Sequence, residues 1–396
     1  MTFKLLNNIN KEIISFKETE IMEVANFGRN HAFETGVKVY PAWFGEGDTP
    51  TDKIIYDKAV DALVKGKTFY TYQNGIPNLR LEISKYMNEI FKINTKPDNH
   101  SVVTGGMMGL RLVCDLILSD NDEVVIVGPV WPNIKSSVLL KKAVIKEVSL
   151  TLSKNGWNID FQLLLKSISS STKMVFINSP GNPTGWVITK EQQNQLLNHI
   201  RQTGSWLISD EVYHQIIFND TVAPSFLQIS LPNDRLIVIN SASKSFNMTG
   251  WRIGWITHPL ELGEHIAKLV QITTSGVPEF LQNGLLSALH NYKAITNELK
   301  LNLIKSRDLM FARLKTWSRV ECSVPEAAFY AFFKVKGMDN SLEFAKKLIV
   351  ETKVGVAPGI AFGESGEGHL RICFAANQDF INAIMDRLEP VLNSKS

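Results

Sequence analysis

The chain has 396 residues, a net charge of +3 at pH 7, 44% hydrophobic residues and 20% charged residues. This length indicates two domains rather than one core, and the composition is typical of a globular enzyme. The small net charge, with no basic tract and no long apolar run, argues against nucleic-acid binding and against a membrane span.

The first hundred residues are predicted to be mainly helical. Apolar spacing indicates one or two amphipathic helices over 3–34. Pro, Gly and aromatic residues over 38–50 indicate an extended segment, and further helices are predicted over 51–66 and 77–92.

From about residue 100 to 275, strands and helices alternate, which predicts a mostly parallel sheet covered by helices. The seven predicted strands are residues 101–104, 123–128, 143–149, 173–178, 206–210, 236–240 and 253–257. Long helices over 280–316 precede a mixed region, and the fold class is therefore α/β with a smaller α+β domain. We place the large domain at 49–285 and the small domain at 1–48 and 286–396.

The segment Ser241–Arg252 carries the strongest chemical signal. It follows the apolar run Leu236–Ile239, so Lys244 falls at the edge where α/β sheets bind ligands. The hydroxyls of Ser241 and Ser243, with Arg252, suit an anionic ligand, most simply a phosphate. A lysine shielded in such a site has a lowered pKa and can form an imine with an aldehyde. The alternative is a solvated surface loop.

Two more strand ends carry polar side chains. Asp210 ends the strand 206–210 and either keeps a ring nitrogen protonated or caps a neighbouring group. Tyr213 could direct its hydroxyl at the same ligand. Asn182 lies in a loop dense in Pro and Gly after the strand 173–178, and Asn182–Pro183 is a candidate cis bond.

A glycine-rich turn joins the strand 101–104 to a helix. Gly105 and Gly106 at a helix N-terminus let backbone N–H groups approach a phosphate. The turn nearly matches a dinucleotide fingerprint, with Thr104 in place of the first glycine and Glu123 at a plausible distance for a ribose. A nicotinamide dehydrogenase is therefore the main rival from this loop alone, and a plain tight turn is a further alternative.

Trp131 and Arg371 complete the candidates. Trp131 follows the strand 123–128 and either packs in the core or stacks on a ring. Arg371 lies in an apolar strand, so it pairs with an internal carboxylate or with a substrate carboxylate.

Together these motifs resemble the fold-type-I pyridoxal-phosphate aminotransferases, class I/II, of the aspartate-aminotransferase superfamily. The resemblance runs from about Gly45 to Phe374, and its order and spacing match the family. It rests on G-N-P-T-G at 181–185, D-E-V-Y at 210–213, S-A-S-K at 241–244, G-W-R-I-G-W at 250–255 and R-I-C-F-A at 371–375.

The resemblance implies pyridoxal 5'-phosphate as cofactor and a role for each residue. Lys244 would hold it as a Schiff base and shuttle protons, and Asp210 would face the pyridine nitrogen. The other implied contacts are Tyr213 and Asn182 to the phenolic oxygen, Trp131 to the ring face, and Gly105, Gly106, Met107, Ser241, Ser243 and Arg252 to the phosphate. Arg371, Gly45, Trp131 and Asn182 would bind the substrate.

The resemblance also implies a homodimer with its active site at the subunit interface. Tyr70 would reach the phosphate of the neighbouring subunit. Amino acid and 2-oxo acid would react by a ping-pong mechanism. Met107 stands where many relatives carry a hydroxyl, so its phosphate contact would come from the backbone N–H. In one branch of the dicarboxylate-specific members a lysine at this place reads the distal carboxylate, and the absence of that lysine counts against aspartate as the best substrate.

Two alternatives share the fold but not the reaction. The same residues would serve a C–S β-lyase, and an aminotransferase-like sensor domain of a transcription regulator is also conceivable. About 45 residues before Gly45 leave no room for a winged helix.

The sequence carries no metal-binding motif. Its three widely spaced cysteines, and an N-terminus unlike a signal peptide, predict a cytoplasmic protein.

Overall fold

The computed structural model describes residues 9, 13, 14 and 18–394. Most of the first part of the segment predicted to be helical over 3–34, up to residue 17, therefore lies outside the described residues. The N-terminal elements are α1 (Glu20–Thr35), β1 (Tyr40–Pro41), α2 (Lys53–Val64) and α3 (Pro77–Phe91). Asp52 caps α2 by accepting a hydrogen bond from the Ile54 N–H, and Pro77 occupies the first turn of α3, where no N–H is needed.

An eight-stranded sheet forms the centre of the described structure. Its strands are β2 (His100–Val103), β3 (Glu123–Gly128), β4 (Val144–Ser153), β5 (Gly156–Ile159), β6 (Thr172–Asn178), β7 (Trp206–Asp210), β8 (Leu236–Ser241) and β9 (Gly254–Thr257). They lie in the order β2-β9-β8-β7-β6-β3-β4-β5. Strands β3, β4, β6, β7 and β8 pair in parallel, so the predicted mostly parallel sheet is confirmed.

The sheet differs from the prediction in two strands. β5 adds an eighth strand, which pairs antiparallel with β4 through a tight hairpin at Gly156. Its four residues are too few to show a periodic pattern. β9 runs antiparallel to both β8 and β2, so the chain between β8 and β9 stays at one edge of the sheet.

Helices cover both faces of the sheet. They are α4 (Gly105–Ile117), α5 (Asn133–Leu139), α6 (Phe161–Ser167), α7 (Lys190–Thr203), the short α8 (Ala242–Ser245) and α9 (Gly263–Thr273). Alternate residues of a strand enter opposite cores: Val124 and Ile126 lie in one, Val125 and Val127 in the other. Burial on both faces explains the almost continuous Val and Ile runs of these strands.

The C-terminal part adds helices and a smaller antiparallel sheet. Its elements are α10 (Glu279–His290), α11 (Tyr292–Leu314), β10 (Val320–Glu321), β11 (Tyr330–Val335), α12 (Ser341–Thr352), β12 (Val354–Gly355), β13 (Ala357–Pro358), β14 (His369–Cys373) and α13 (Gln378–Leu392). The sheet order is β10-β11-β14-β13, and β1 pairs with β12. The N-terminal strand thus joins the C-terminal region, while the domain boundaries given above stay a prediction.

No helix within 18–394 is long and apolar enough to cross a bilayer.

Candidate active site

The carboxyl ends of the parallel strands border a cavity of about 320 Å³. A larger cavity of about 530 Å³ lies beside α11, but the groups singled out from the sequence converge on the smaller one. The predicted residues that line it are Gly45, Gly106, Met107, Trp131, Asn182, Asp210, Tyr213, Ser241, Ser243, Lys244, Arg252 and Arg371. Its size is within the usual range for small-molecule sites.

Two predicted residues do not line this cavity. Gly105 precedes the lining residue Gly106, and a Cβ at Gly105 would lie 2.7 Å from Nη2 of the lining residue Arg252. Tyr70 is 93% exposed and borders a separate surface pocket with residues 274–280. Within a single chain, Tyr70 therefore stands apart from the other predicted residues.

Strand direction explains why residues distant in sequence meet here. Gly254 of β9 lies opposite Ser241 of β8 on one side and Val103 of β2 on the other. The turn after β2 and the segment between β8 and β9 therefore share one edge. The main-chain hydrogen bond from Ala242 N to Ile253 O, 3.1 Å long, closes that segment.

Lys244 lies in the short helix α8, directly after β8. Its Nζ donates a hydrogen bond to the Gly45 carbonyl at 2.5 Å. Burial lowers the pKa of the Lys244 amine from 10.5 to about 8. A larger neutral fraction near neutral pH makes this amine a better nucleophile and base than an exposed lysine.

Asp210 ends β7 and is buried. Burial raises the pKa of its carboxyl from 3.8 to about 7, although the Val212 N–H donates to Oδ1 at 3.2 Å. A carboxyl in this position favours a positively charged partner, because a cation would offset the cost of burying its charge. The site therefore fits a protonated ring nitrogen.

The corner around Arg252 has the donors of an anion site. Gly105 adopts a φ of +79° at the N-terminus of α4, which leaves backbone N–H groups free to point outward. Arg252 Nη1 lies 3.5 Å from Ser243 Oγ, and Ser241 Oγ donates to Ser243 Oγ at 3.0 Å. The hydroxyl of Thr104 is buried without a partner among the described residues. These groups together fit a phosphate.

Arg371 is buried in β14 and has no counter-ion among its hydrogen-bond acceptors. Nη1 donates to Asn182 Oδ1 at 2.9 Å, and Nη2 donates to the Trp43 carbonyl. Its Nε has no partner within the described part of the chain. These contacts therefore do not include the internal carboxylate that the sequence had left open as a partner of Arg371. An uncompensated buried guanidinium beside a cavity is suited to a carboxylate ligand.

Asn182 and Trp131 are linked across the cavity wall. The Trp131 N–H donates to the Asn182 carbonyl at 3.0 Å, and the Asn182–Pro183 peptide bond is cis, as predicted. Asn178, which was not among the predicted site residues, holds this corner together. It accepts a hydrogen bond from the Asn182 N–H at 2.8 Å and donates to the Asp210 carbonyl at 3.1 Å. Its place at the end of β6 is the signal that could have found it.

Tyr330 was also missed. Its hydroxyl lies 2.6 Å from the Tyr213 hydroxyl, and the Arg371 guanidinium lies 4.4 Å from the centre of its ring. Its position at the start of an apolar strand carries no local signal of this role.

The dinucleotide alternative is wrong on geometric grounds. Glu123 is the first residue of β3, so it lies at the amino end of the strand, away from the ligand edge. Its carboxylate accepts a hydrogen bond from Thr172 Oγ1 at 2.5 Å. A ribose bound at the other edge of the sheet could not reach it.

Comparisons with known proteins agree on one family. The family described as aminotransferase class I and II matches residues 42–388. The chain is 34% identical to an aspartate aminotransferase of Thermotoga maritima over 356 residues, covering 89% of this chain and 90% of the relative. It is 31% identical to one from Pyrococcus horikoshii, covering 98% of both chains.

Solved structures give the same result. The crystal structure of the Thermotoga maritima aspartate aminotransferase superposes with a TM-score of 0.89 at 31% identity, covering 98% of this chain and 100% of that one. A Thermus thermophilus aspartate aminotransferase with maleate gives 0.90 at 27% identity, with the same coverage. These relatives offer no support for the C–S lyase alternative. The chain belongs to the class I and II aminotransferases and is an amino acid:2-oxo acid aminotransferase.

Proposed function

We propose that the enzyme uses pyridoxal 5'-phosphate, held covalently by Lys244, to exchange an amino group between an amino acid and a 2-oxo acid. The observation that carries this proposal is the convergence of three features on one cavity. These are an amine with a lowered pKa, a buried acid, and an anion corner at a helix N-terminus. An aldehyde, a ring nitrogen and a phosphate on one molecule would match them.

The cofactor contacts follow from the fit. Asp210 would hold a proton on the ring nitrogen, and Tyr213 and Asn182 would contact the phenolic oxygen. Trp131 would cover a ring face. The phosphate would bind the serine hydroxyls, the guanidinium and the backbone at the start of α4: Ser241, Ser243, Arg252, Gly105, Gly106 and Met107. Because the Met107 side chain offers no strong donor, its contact would come from the N–H group.

Proton transfer at the substrate Cα falls to Lys244. When bound, the cofactor supplies an aldehyde carbon and an electron-withdrawing ring. Because its pKa of about 8 lies well below 10.5, the Lys244 amine is neutral far more often near neutral pH than an exposed lysine is. The neutral amine can take the Cα proton and deliver it to the cofactor carbon that carried the aldehyde. The 2-oxo acid product of the first half-reaction leaves before the second substrate binds, so we expect ping-pong kinetics.

Arg371 would orient the substrate. Its guanidinium lines the cavity, its Nε has no hydrogen-bond partner among the described residues, and Nη1 already donates to Asn182 Oδ1. A carboxylate on this fork would place the α-amino group toward Lys244. Gly45 contributes the carbonyl that accepts from Lys244 Nζ, and Trp131 adds a wall beside the substrate.

We also propose that the preferred amino donor has an uncharged side chain. Among the described residues lining the cavity, the charged ones are Asp210, Lys244, Arg252 and Arg371, and each already has a role above. The remaining wall includes Ile21, Met22, Phe44, Met107 and Leu110. A distal carboxylate would lose its hydration there without a cation to pair with.

A substrate panel tests this preference. We expect kcat/KM for leucine or methionine to exceed that for aspartate at least tenfold, and Met107→Lys to move the ratio toward aspartate. Wild-type enzyme that favours aspartate would refute the preference, and would indicate a cation supplied from outside the described chain. It would leave the proposed reaction intact.

The enzyme is proposed to act as a homodimer with Tyr70 of each subunit completing the other active site. Exposed apolar side chains support an interface. Phe69, which borders the same pocket as Tyr70, is 82% exposed. Val64 and Ile272, close in sequence to the segments that line this pocket, are 82% and 78% exposed. We expect light scattering to show a dimer. Mixing inactive Tyr70→Ala and Lys244→Ala subunits should restore activity, because one site of each mixed dimer is intact.

Reduction with borohydride tests the central assignment. Protein loaded with pyridoxal phosphate should be yellow, and borohydride should fix the cofactor on the peptide that contains Lys244. Lys244→Ala should bind the cofactor reversibly and lose activity. Arg313→Ala, which breaks ion pairs with Asp386 and Glu389 and does not touch the cavity lining, is a matched control for loss of a cation. Modification at a different lysine would overturn the proposal.

A further inference from the structure

Tyr330 connects three groups that border the cavity. Its hydroxyl lies 2.6 Å from the Tyr213 hydroxyl, and the centre of its ring lies 4.4 Å from the Arg371 guanidinium carbon. The hydroxyl also packs against Gly45, where an added Cβ would overlap Tyr330 Oη. Tyr330 is 1% exposed, so neither water nor a mobile side chain replaces these contacts readily.

The direction of the hydrogen bond between the two tyrosines depends on their protons. Burial raises the pKa of both hydroxyls, so each carries its proton at neutral pH. Only one of the two can donate to the other, since each hydroxyl has a single proton. If the Tyr213 proton is directed at the phenolic oxygen of the cofactor, the donor within the pair must be Tyr330.

Other neighbours of Tyr213 cannot perform this task. Phe329 contacts the Tyr213 ring edge-on, with centroids 5.5 Å apart, and offers no donor. Lys244 Nζ lies 6.0 Å from the centre of the Tyr213 ring, and donates instead to the Gly45 carbonyl. Among the contacts of the described residues, Tyr330 is thus the polar group placed to orient the Tyr213 hydroxyl.

We propose that Tyr330 is a positioning residue with two separable functions. Its hydroxyl donates to Tyr213 and so directs the Tyr213 proton at the cofactor. Its ring holds the Arg371 guanidinium by a cation–π contact, and so fixes the fork that binds the substrate carboxylate. This inference rests on the proposed function, because the first role presupposes the cofactor in the cavity.

The two functions predict different effects for two substitutions. Tyr330→Phe removes only the hydroxyl, so the apparent Kd for pyridoxal phosphate should rise about three- to tenfold while the KM for the amino donor changes less than twofold. Tyr330→Leu removes the ring as well, so the donor KM should rise about tenfold. The Kd is measured by fluorescence titration of protein freed of cofactor.

A double-mutant cycle separates positioning from a general structural effect. If Tyr330 acts through Tyr213, Tyr330→Phe should raise the Kd in the wild-type background and leave it unchanged in Tyr213→Phe. Tyr86→Phe is a matched control. Tyr86 is 2% exposed and its hydroxyl is bonded to His214 Nε2 at 2.7 Å and Gln215 Nε2 at 2.8 Å, away from the cavity. This variant should lower stability without changing the Kd.

The outcomes distinguish the two proposals. Equal effects of Tyr330→Phe in both backgrounds, or no effect in either, would overturn the inference about Tyr330. Wild-type protein that takes up no pyridoxal phosphate would overturn the proposed function, and this inference with it. A rise in Kd that disappears in Tyr213→Phe, with a donor KM that rises only in Tyr330→Leu, would support both roles.

Discussion

Asp210 is expected to weaken the stability of the cofactor-free protein. Its carboxyl pKa rises from 3.8 to about 7 because of burial. The folded state therefore holds the proton more tightly than the unfolded state does. The resulting penalty is absent below pH 3.8, grows as the pH rises to about 7, and stays constant above that value.

The size of the penalty follows from the shift. The pKa of the Asp210 carboxyl is about three units higher in the folded than in the unfolded state, which corresponds to an upper bound of about 4 kcal/mol at 1.36 kcal/mol per pKa unit. Asp210→Asn keeps the shape of the side chain and an oxygen to accept from the Val212 N–H. We expect this variant to be about 2–4 kcal/mol more stable than wild type at pH 8. The gain should be smaller at pH 5.

The assay is urea unfolding of cofactor-free protein at pH 5 and pH 8, together with the transamination rate after cofactor is added. The rate should fall about 10²–10³-fold, because an amide cannot hold the ring proton by charge. Glu211→Gln is the control. Burial also raises the pKa of Glu211 to about 7, but its carboxylate accepts from Ser209 Oγ and Phe226 N instead of lining the cavity.

Glu211→Gln should therefore show a pH-dependent stabilisation of the same sign but somewhat smaller, since its pKa rises from 4.5 to about 7, with activity within a few-fold of wild type. The reasoning would be refuted if Asp210→Asn were less stable than wild type at pH 8. It would also be refuted if the stability of Asp210→Asn and the stability of the wild type depended on pH in the same way.

Two further substitutions test the substrate side of the cavity. Arg371→Lys should lower kcat/KM about 10²–10³-fold in initial-rate measurements. An ammonium cannot keep the hydrogen bonds to Asn182 and Trp43 and also bind a carboxylate through two parallel hydrogen bonds. Arg307→Lys, which also loses a guanidinium stacked on an aromatic ring, is the control and should keep a kcat/KM near that of wild type. Gly45→Ala should lower kcat/KM at least tenfold, because its methyl would overlap the Tyr330 hydroxyl and lie 2.9 Å from Cζ. Gly47→Ala, whose nearest contact is 3.2 Å, should change it less than threefold, and equal effects of the two would contradict the steric explanation.

The main sheet and much of the candidate site were accessible from the sequence because both depend on local patterns. An apolar run buried on both faces predicts a parallel strand, and a polar residue at its end then falls at the ligand edge. This reasoning selected Asp210, Asn182 and Lys244, all of which line the cavity in the structure. Their chemical roles stay proposals.

The contacts between distant segments could be decided only by the tertiary structure. Tyr213 and Tyr330 are 117 positions apart, and no local pattern around either residue predicts that their hydroxyls meet. Glu123 had a suitable spacing for a ribose, yet strand direction places it at the opposite edge of the sheet. Periodicity reports which face of an element is buried, but the partner that covers this face depends on how the whole chain packs, and side-chain hydrogen bonds form between those partners.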